Sequence, residues 1–509
     1  MKKLFLSTSL SLNVISGFMG NGGTAILSMI FLPFYLFYIG AEGYGLVGIF
    51  ASLQSILFLL DSGIGYTLNR ELAGLLGKNG KECEMRDILK TVEYSYWCIS
   101  IIVLLISLVA SPFIAKFWVN PVNISEQNIR YSFYLLSIAL FFQFPIGIYT
   151  GCLLGIQRHF SLNFVKIIFA FLKGVIIIGV LKFIDASITT FFLTNIFVIL
   201  INLLILRWLA WKSMPKSDYK SSFKLDLLIT KWKFAAGMLG IGIAAVILTQ
   251  LDKVILSKIL SLPQFGYYAI ATTVGLIIYQ LIVPISQSYF PKLTNLVTNN
   301  NYNELVKTYH QGCKIASVLI FPATFMLVFF SRELLFLWLR DETIVNNTWK
   351  IVSIYSIGTA LNGLIHLPFM LTLAYNKSKI FFFGNLVMLF FMIPGFIISA
   401  SYYGAIGGAL CWAVTNIIYI LVMPNIVHSI FLKKELFKFY FNDILKPLIA
   451  SISVILFFRI FLQYNKMSFL LEIVSLCSIG FLSMIVAMIS VQSKDLNISN
   501  YIRRVFRVS

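Results

Sequence analysis

Apolar runs of about 20 residues or more, the length that crosses the hydrocarbon core of a bilayer as a helix, recur from one end of the chain to the other. By that length criterion the runs number about 14. Their approximate limits are 11–39, 43–68, 93–118, 128–155, 162–183, 187–210, 234–260, 264–290, 312–339, 350–375, 378–400, 404–431, 446–463 and 468–491. Charge supports the same reading. Only 12% of residues are charged, against roughly 25% in an average soluble domain, and the mean hydropathy is +0.88. So few charges cannot cover a water-facing surface, and the fold class is an all-α, polytopic integral membrane protein. The opening MKKLFLSTSLSLN has the basic residues of a signal peptide. No small-residue cleavage site follows and the apolar run continues to Ile39, so this segment is expected to stay as the first span.

Orientation follows from lysine and arginine in the short loops. With the N-terminus inside, the inner segments carry 28 of the 40 basic residues, from Lys2 and Lys3, through Arg70 to Lys90 and Arg207 to Lys233, to the tail at Arg503, Arg504 and Arg507. Both termini are therefore expected in the cytoplasm. Topology accounts for the net charge of +20 without nucleic acid, and a basic inner face also suits anionic headgroups. The six cysteines form no CxxC pair, and no histidine lies in an HExxH motif, so no metal site, disulfide framework or cofactor is expected.

The chain repeats itself. GAEGYGLVGIFASL at 40–53 aligns with SLPQFGYYAIATTV at 261–274, placing Tyr44-Gly45 on Phe265-Gly266 at the outer hairpin of each half. The basic stretch 211–233 is the natural linker. We therefore expect an N-terminal six-helix lobe over 1–215, a second over 216–431, and a further helix pair with a basic tail over 432–509. Repeated bundles around a central site are a common transporter plan.

Polar residues inside such spans are informative, because an unpaired charge costs roughly 2.5–3.5 kcal/mol on insertion scales. Lys166 and Lys173 lie on one helical face, with Lys173 near mid-membrane. Thr273, Gln280 and Gln287 form one line on span 264–290, with Thr272, Tyr279 and Ser286 beside it. Gln54 and Asp61 stand seven apart in the first half, and Asn13, Ser16, Asn21, Thr24 and Ser28 add polarity to the first span. These are either the wall of a wet cavity or the polar glue between helices. Lys258 suits snorkelling at a helix end. Asp252-Lys253 lies deeper and fits either a functional pair or a structural one. In LLDSGIGYTLNREL, Asp61 sits about 27 Å along its helix, Gly63 and Gly65 permit a bend, and Arg70 marks the inner exit. That stretch reads as a polar inner gate, with an ordinary helix end as the bland reading.

LLDSGIGYTLNRELA and LTQLDKVILSKILSLPQFGYYAIATTV…PISQSYFPKLTNL also carry a likeness. The chain resembles Wzx-type O-antigen flippases of the MATE-like polysaccharide-exporter superfamily. The resemblance implies two pseudo-symmetric six-helix lobes in a V around a central cavity, plus a final helix pair. It implies export of an undecaprenyl-pyrophosphate-linked oligosaccharide across the bacterial cytoplasmic membrane by alternating access, coupled to H+ or Na+, and partnership with a polysaccharide polymerase and chain-length regulator. It suggests roles for Asp61, Arg70, Asp252 and Lys253. Cations suit a pyrophosphate, and amides and hydroxyls suit sugars. The expected substrate contacts are then Arg70, Lys166, Lys173, Lys253, Gln280 and Gln287, with Asp61 and Asp252 in ion coupling or gating.

Two other transporters fit the same architecture: a multidrug exporter, whose cavity should favour acids over lysines, and a peptidoglycan-precursor flippase. A membrane glycosyltransferase, polymerase or acyltransferase would need catalytic acids or a nucleotide site. No DxD motif, Gly-rich phosphate loop or paired carboxylates are present, so an enzyme is not expected.

Overall fold

The computed structural model describes residues 10–76, 78, 80–216, 221–226, 249–462 and 468–491. All named elements among them are helical. Eleven helices are long and apolar enough to cross a membrane. Two of these, Leu10–Leu75 and Lys379–Phe431, are each a pair of helices joined at a non-helical glycine, Gly40 and Gly404. The described spans are thus thirteen, in the places the apolar runs set. Most of the run at 234–260 lies outside the described residues.

Gly40 has φ 67° and ψ 178°, a conformation open in practice only to glycine, and it turns the chain between the first two spans. We label this hairpin α1 (Leu10–Leu75). It is followed by α2 (Glu82–Phe117), α3 (Glu126–Gln143), α4 (Ile146–Gly155), α5 (His159–Phe183) and α6 (Ile188–Ser213). α3 and α4 are one span interrupted at Pro145, whose missing N–H and ring break the ladder. The starts of α3 and α6 are capped by Ser125 and Ser187, which accept from the N–H groups of Asn128 and Thr190.

The helices fall into two compact units, residues 1–266 and 267–509. In the first, Leu68, Leu72, Leu89, Tyr96, Tyr149 and Leu203 belong to a buried apolar cluster at the end of the bundle that holds the α1–α2 loop. Lipid offers no hydrophobic gain for helix association, so close backbone approach matters instead. Gly151 and Gly155 in GCLLG supply it. A Cβ on Gly151 would lie 2.8 Å from the carbonyl oxygen of Gly65, and one on Gly155 would lie 2.9 Å from that of Asn69. The glycines of LLDSGIGYTLNREL therefore sit in an unbroken helix. The backbone stays helical after Asp61, the non-helical residue of α1 being Gly40, so the glycines that permit a bend make no break there, and Gly65 admits α4.

The matched aromatic-glycine pairs meet. Within the first unit, a Cβ on Gly45 would stand 2.5 Å from the Leu262 carbonyl oxygen, and one on Gly266 would run into the Ala41 carbonyl oxygen. The loop after α2 closes the same corner. Asn120 donates to the carbonyls of Lys258 (2.8 Å) and Leu260 (3.3 Å), and the Leu262 N–H donates to the Asn120 carbonyl (2.8 Å).

The second unit packs a core of residues such as Ile282, Leu293, Tyr309, Leu367, Met423 and Phe439. Its last helix pair, Lys446–Phe461 and Phe469–Ser490, packs on Tyr302–Phe329 and is preceded by a π-helical turn, Phe439–Leu445.

Candidate functional site

The first unit encloses a cavity of about 660 Å³ between both legs of α1, the α3–α4 break, α5 and α6. Lys166 and Lys173 both line it, two turns apart on α5, with Phe169 and Ala170 between them. α5 presents this face because Gly174 lies hard against the Phe31 ring and Asn163 fits against Gly20, which seats the helix along the first leg of α1. Neither lysine makes an ion pair with a described residue, and no carboxylate lines the cavity among the described residues. Amides and hydroxyls complete the wall: Gln54 and Ser55 from the second leg of α1, Thr24 from the first, Gln143 and Thr150 flanking Pro145, and Asn202 from α6. The Asn202 side-chain oxygen is buried with no hydrogen-bond partner among the described residues, and so are both polar atoms of Asn195, seven residues earlier on the same face. Two ammonium groups with no counter-charge among the described residues, beside an unspent amide oxygen, form a site for an anion attached to a hydroxyl-rich body.

The cavity thus gathers Lys166, Lys173, Gln54 and Thr24, all polar intramembrane positions that stand out in the sequence. Gln143, Thr150 and Asn202 carried a signal in the sequence, polar residues inside apolar runs, but their helices converge only in three dimensions.

The other predicted residues lie elsewhere. Asp61 is in the second leg of α1, in a stretch whose side chains are not described. Arg70, near the end of that leg, is half exposed and pairs with its neighbour Glu71 at 2.8 Å. Asp252 is buried and lies 3.5 Å from the Lys253 ammonium, which also reaches the Thr249 carbonyl. In the second unit the two polar lines separate. Gln280 and Gln287 are exposed. Thr272, Tyr279 and Ser286 turn inward, where Tyr279 bonds Asn362 and Asn362 bonds Asn416 at 2.7 Å. Of that second line Tyr279 ties two helices together, while the hydroxyls of Thr272 and Ser286 donate to carbonyls of their own helix, those of Ala269 and Ile282. Asn13 and Ser16 fall among undescribed side chains. Lys258 is exposed, as snorkelling requires.

Two further buried ionic groups were not anticipated. Glu42, in the Gly40 hairpin, accepts from the backbone N–H groups of Val122 (2.7 Å), Asn123 (3.0 Å) and Ile124 (3.3 Å), and so fastens the loop after α2. In the second unit both ring nitrogens of His310 meet carboxylates, Asp443 on one side and Glu435 at 3.0 Å on the other.

With this geometry established, comparison with known proteins is specific. Residues 39–342 match the polysaccharide biosynthesis protein family. A candidate O-antigen transporter of Shigella flexneri is 22% identical over 415 residues, covering 79% of this chain and 94% of that protein. Among solved structures, the lipid II flippase MurJ in an inward closed conformation aligns with a TM-score of 0.70 at 19% identity, over 92% of this chain and 97% of MurJ. An inward-facing multidrug resistance MATE transporter aligns with a TM-score of 0.66 at 12% identity, over 81% and 96% of the two chains. The fold is that of the MurJ and MATE transporters, and the chain belongs to the polysaccharide biosynthesis protein family.

Proposed function

We propose that this protein is a flippase that moves an undecaprenyl-pyrophosphate-linked oligosaccharide, such as an O-antigen repeat unit, from the inner to the outer leaflet of the bacterial cytoplasmic membrane. The observation that carries this reading is the lysine pair in the α5 wall of the first-unit cavity. Two cations with no carboxylate partner among the described residues favour a pyrophosphate, and the surrounding amides and hydroxyls favour sugars. A cavity for organic cations would invert that pattern, so the multidrug reading is the weaker one. Family membership supports a polysaccharide substrate, and the flippase and O-antigen transporter relatives support a lipid-linked one.

In this reading both termini are cytoplasmic, and the chain divides functionally into lobes 1–215 and 216–431 with an added helix pair at 432–509. Transport proceeds by alternating access driven by a coupling cation, H+ or Na+. Arg70, Lys253, Gln280 and Gln287 contact the substrate along its path. Asp61 and Asp252 serve coupling or gating, and a polymerase with a chain-length regulator takes the product. Deletion of the gene in a glycan-bearing host tests it. Surface glycan should vanish while the lipid-linked unit accumulates in the inner leaflet, and normal surface glycan would refute the proposal.

A further inference from the structure

The cytoplasmic end of the first unit, in the orientation proposed above, carries a second concavity unrelated to the lysine cavity. It is a cleft of about 760 Å³ between the first turns of α2 and the last turns of α6. The two sites lie on opposite sides of α6. Asn202 and Leu206 face the cavity, whereas Leu204 and Trp208, two residues on in each case and so turned by about 200°, face the cleft.

Among the described residues, four basic side chains line the cleft, Arg86, Lys90, Arg207 and Lys212, against one carboxylate, Glu93. Glu93 is already engaged. It accepts from Arg207 Nε at 2.6 Å, from the Tyr149 hydroxyl at 2.6 Å and from the Trp211 indole at 3.2 Å, and so it fixes one guanidinium and one indole in the wall. Arg86, Lys90 and Lys212 form no ion pair with a described residue. Each is held instead against an aromatic ring: Lys212 lies 4.2 Å from the Trp208 ring, Arg86 5.4 Å from Trp211, and Lys90 6.0 Å from Tyr94. The floor is tied down as well. Arg86 donates to the Pro215 carbonyl, and Lys224 clamps the following segment to Asp87 at 2.6 Å.

The cleft opens outward, with Trp208 58% and Tyr94 53% exposed. Toward the membrane centre its two walls continue as exposed aliphatic and aromatic side chains, Ile101 and Leu105 on α2 and Phe197 and Leu204 on α6. Tryptophan and tyrosine at a helix end mark the headgroup level of a bilayer. A fixed excess of cations at that level, below an apolar track, matches an amphiphile with an anionic head and hydrocarbon tails, not a soluble anion.

We propose that this cleft binds the phosphodiester headgroup of an anionic phospholipid of the cytoplasmic leaflet, with the acyl chains lying along Ile101, Leu105, Phe197 and Leu204. The lipid is a resident partner, separate from the transported molecule.

Purified full-length protein in detergent micelles tests this, with bound lipid counted by native mass spectrometry. The probes are dioleoylphosphatidylglycerol, dioleoylphosphatidylcholine and undecaprenyl phosphate. The wild type should retain phosphatidylglycerol over phosphatidylcholine. The pair Arg86→Gln/Lys212→Gln should weaken phosphatidylglycerol binding roughly 30-fold, at about 1 kcal/mol for each basic residue near a lipid surface. The pair Arg86→Lys/Lys212→Arg should retain it. If the glutamine pair does not fold, Lys212→Gln alone, at an exposed side chain, should still give a loss of roughly 5-fold. Unchanged phosphatidylglycerol binding in the glutamine variants, or equal retention of phosphatidylcholine by the wild type, would overturn the proposal. Displacement of phosphatidylglycerol by undecaprenyl phosphate would overturn it too, by assigning the cleft to the substrate's path.

Discussion

Replacing Gly45 by alanine should loosen the corner where the paired hairpins meet. The added methyl would begin 2.5 Å from the Leu262 carbonyl oxygen and 2.9 Å from Leu262 Cδ1, whereas ordinary contact starts at 3.4 Å. The helix starting after Gly40 and the one starting at Leu262 must therefore separate by about 0.9 Å, because the nearest obstacle is backbone and no rotamer relieves it. The same separation would stretch the 2.8 Å bond between the Leu262 N–H and the Asn120 carbonyl. Overpacking of this kind costs about 1–3 kcal/mol, offset by up to about 1 kcal/mol from alanine's better helix propensity. Gly74→Ala is the control. It gains the same propensity, and its Cβ would meet nothing within 4 Å. Thermal unfolding of the purified proteins reads the difference. Gly45→Ala should melt below wild type and Gly74→Ala at or above it. The double variant Gly45→Ala/Gly266→Ala should cost less than the two singles together, since one separation relieves both clashes. If Gly45→Ala proved as stable as Gly74→Ala, the reasoning from close backbone approach would be wrong.

Other perturbations test other parts of the molecule. Lys173→Arg should keep much of the export activity and Lys173→Gln should lose most of it at normal membrane abundance; equal export by both would make Lys173 a packing residue. Glu42→Ala leaves three backbone donors without their acceptor and should cost about 2–4 kcal/mol, read as faster proteolysis of the 119–125 loop, while Glu42→Gln keeps one acceptor oxygen and should cost less; identical cleavage rates would remove the clamp. Asp443→Ala leaves Nδ1 of the buried His310 without its partner while Glu435 still holds Nε2, and should destabilise by about 1–3 kcal/mol, read as loss of folded protein from membranes. Replacing both Asp443 and His310 by leucine should recover part of that loss, and a double variant worse than the single would contradict the paired reading.

The spans were legible in the sequence because length and apolarity alone place them. The seven-residue spacing of Lys166 and Lys173 likewise fixes a common face whatever the helix packs against. The aligned Tyr44-Gly45 and Phe265-Gly266 pairs pointed to equivalent places, and the structure adds that the two glycines touch the same corner. What periodicity cannot give is which face of a helix turns inward. Gln280 and Tyr279 are adjacent in sequence and equally polar in pattern, yet one is exposed and the other bonds Asn362 inside the second unit. Gly63 and Gly65 read as residues that permit a bend, because the sequence does not reveal that α4 lies against Gly65. His310 and Asp443 stand 133 residues apart, as far beyond local pattern as the two walls of the basic cleft.

The central claim is that lipid-linked glycan crosses the membrane through this protein and that Lys173 takes part. Proteoliposomes loaded with undecaprenyl-pyrophosphate oligosaccharide on the inner leaflet measure it, with a membrane-impermeant glycosidase outside and the cation gradient imposed. Wild-type protein should render the glycan sensitive to the enzyme in a time-dependent manner, and Lys173→Gln should leave it protected. Glycan that stays protected with wild type, or becomes equally sensitive with Lys173→Gln, would contradict the account.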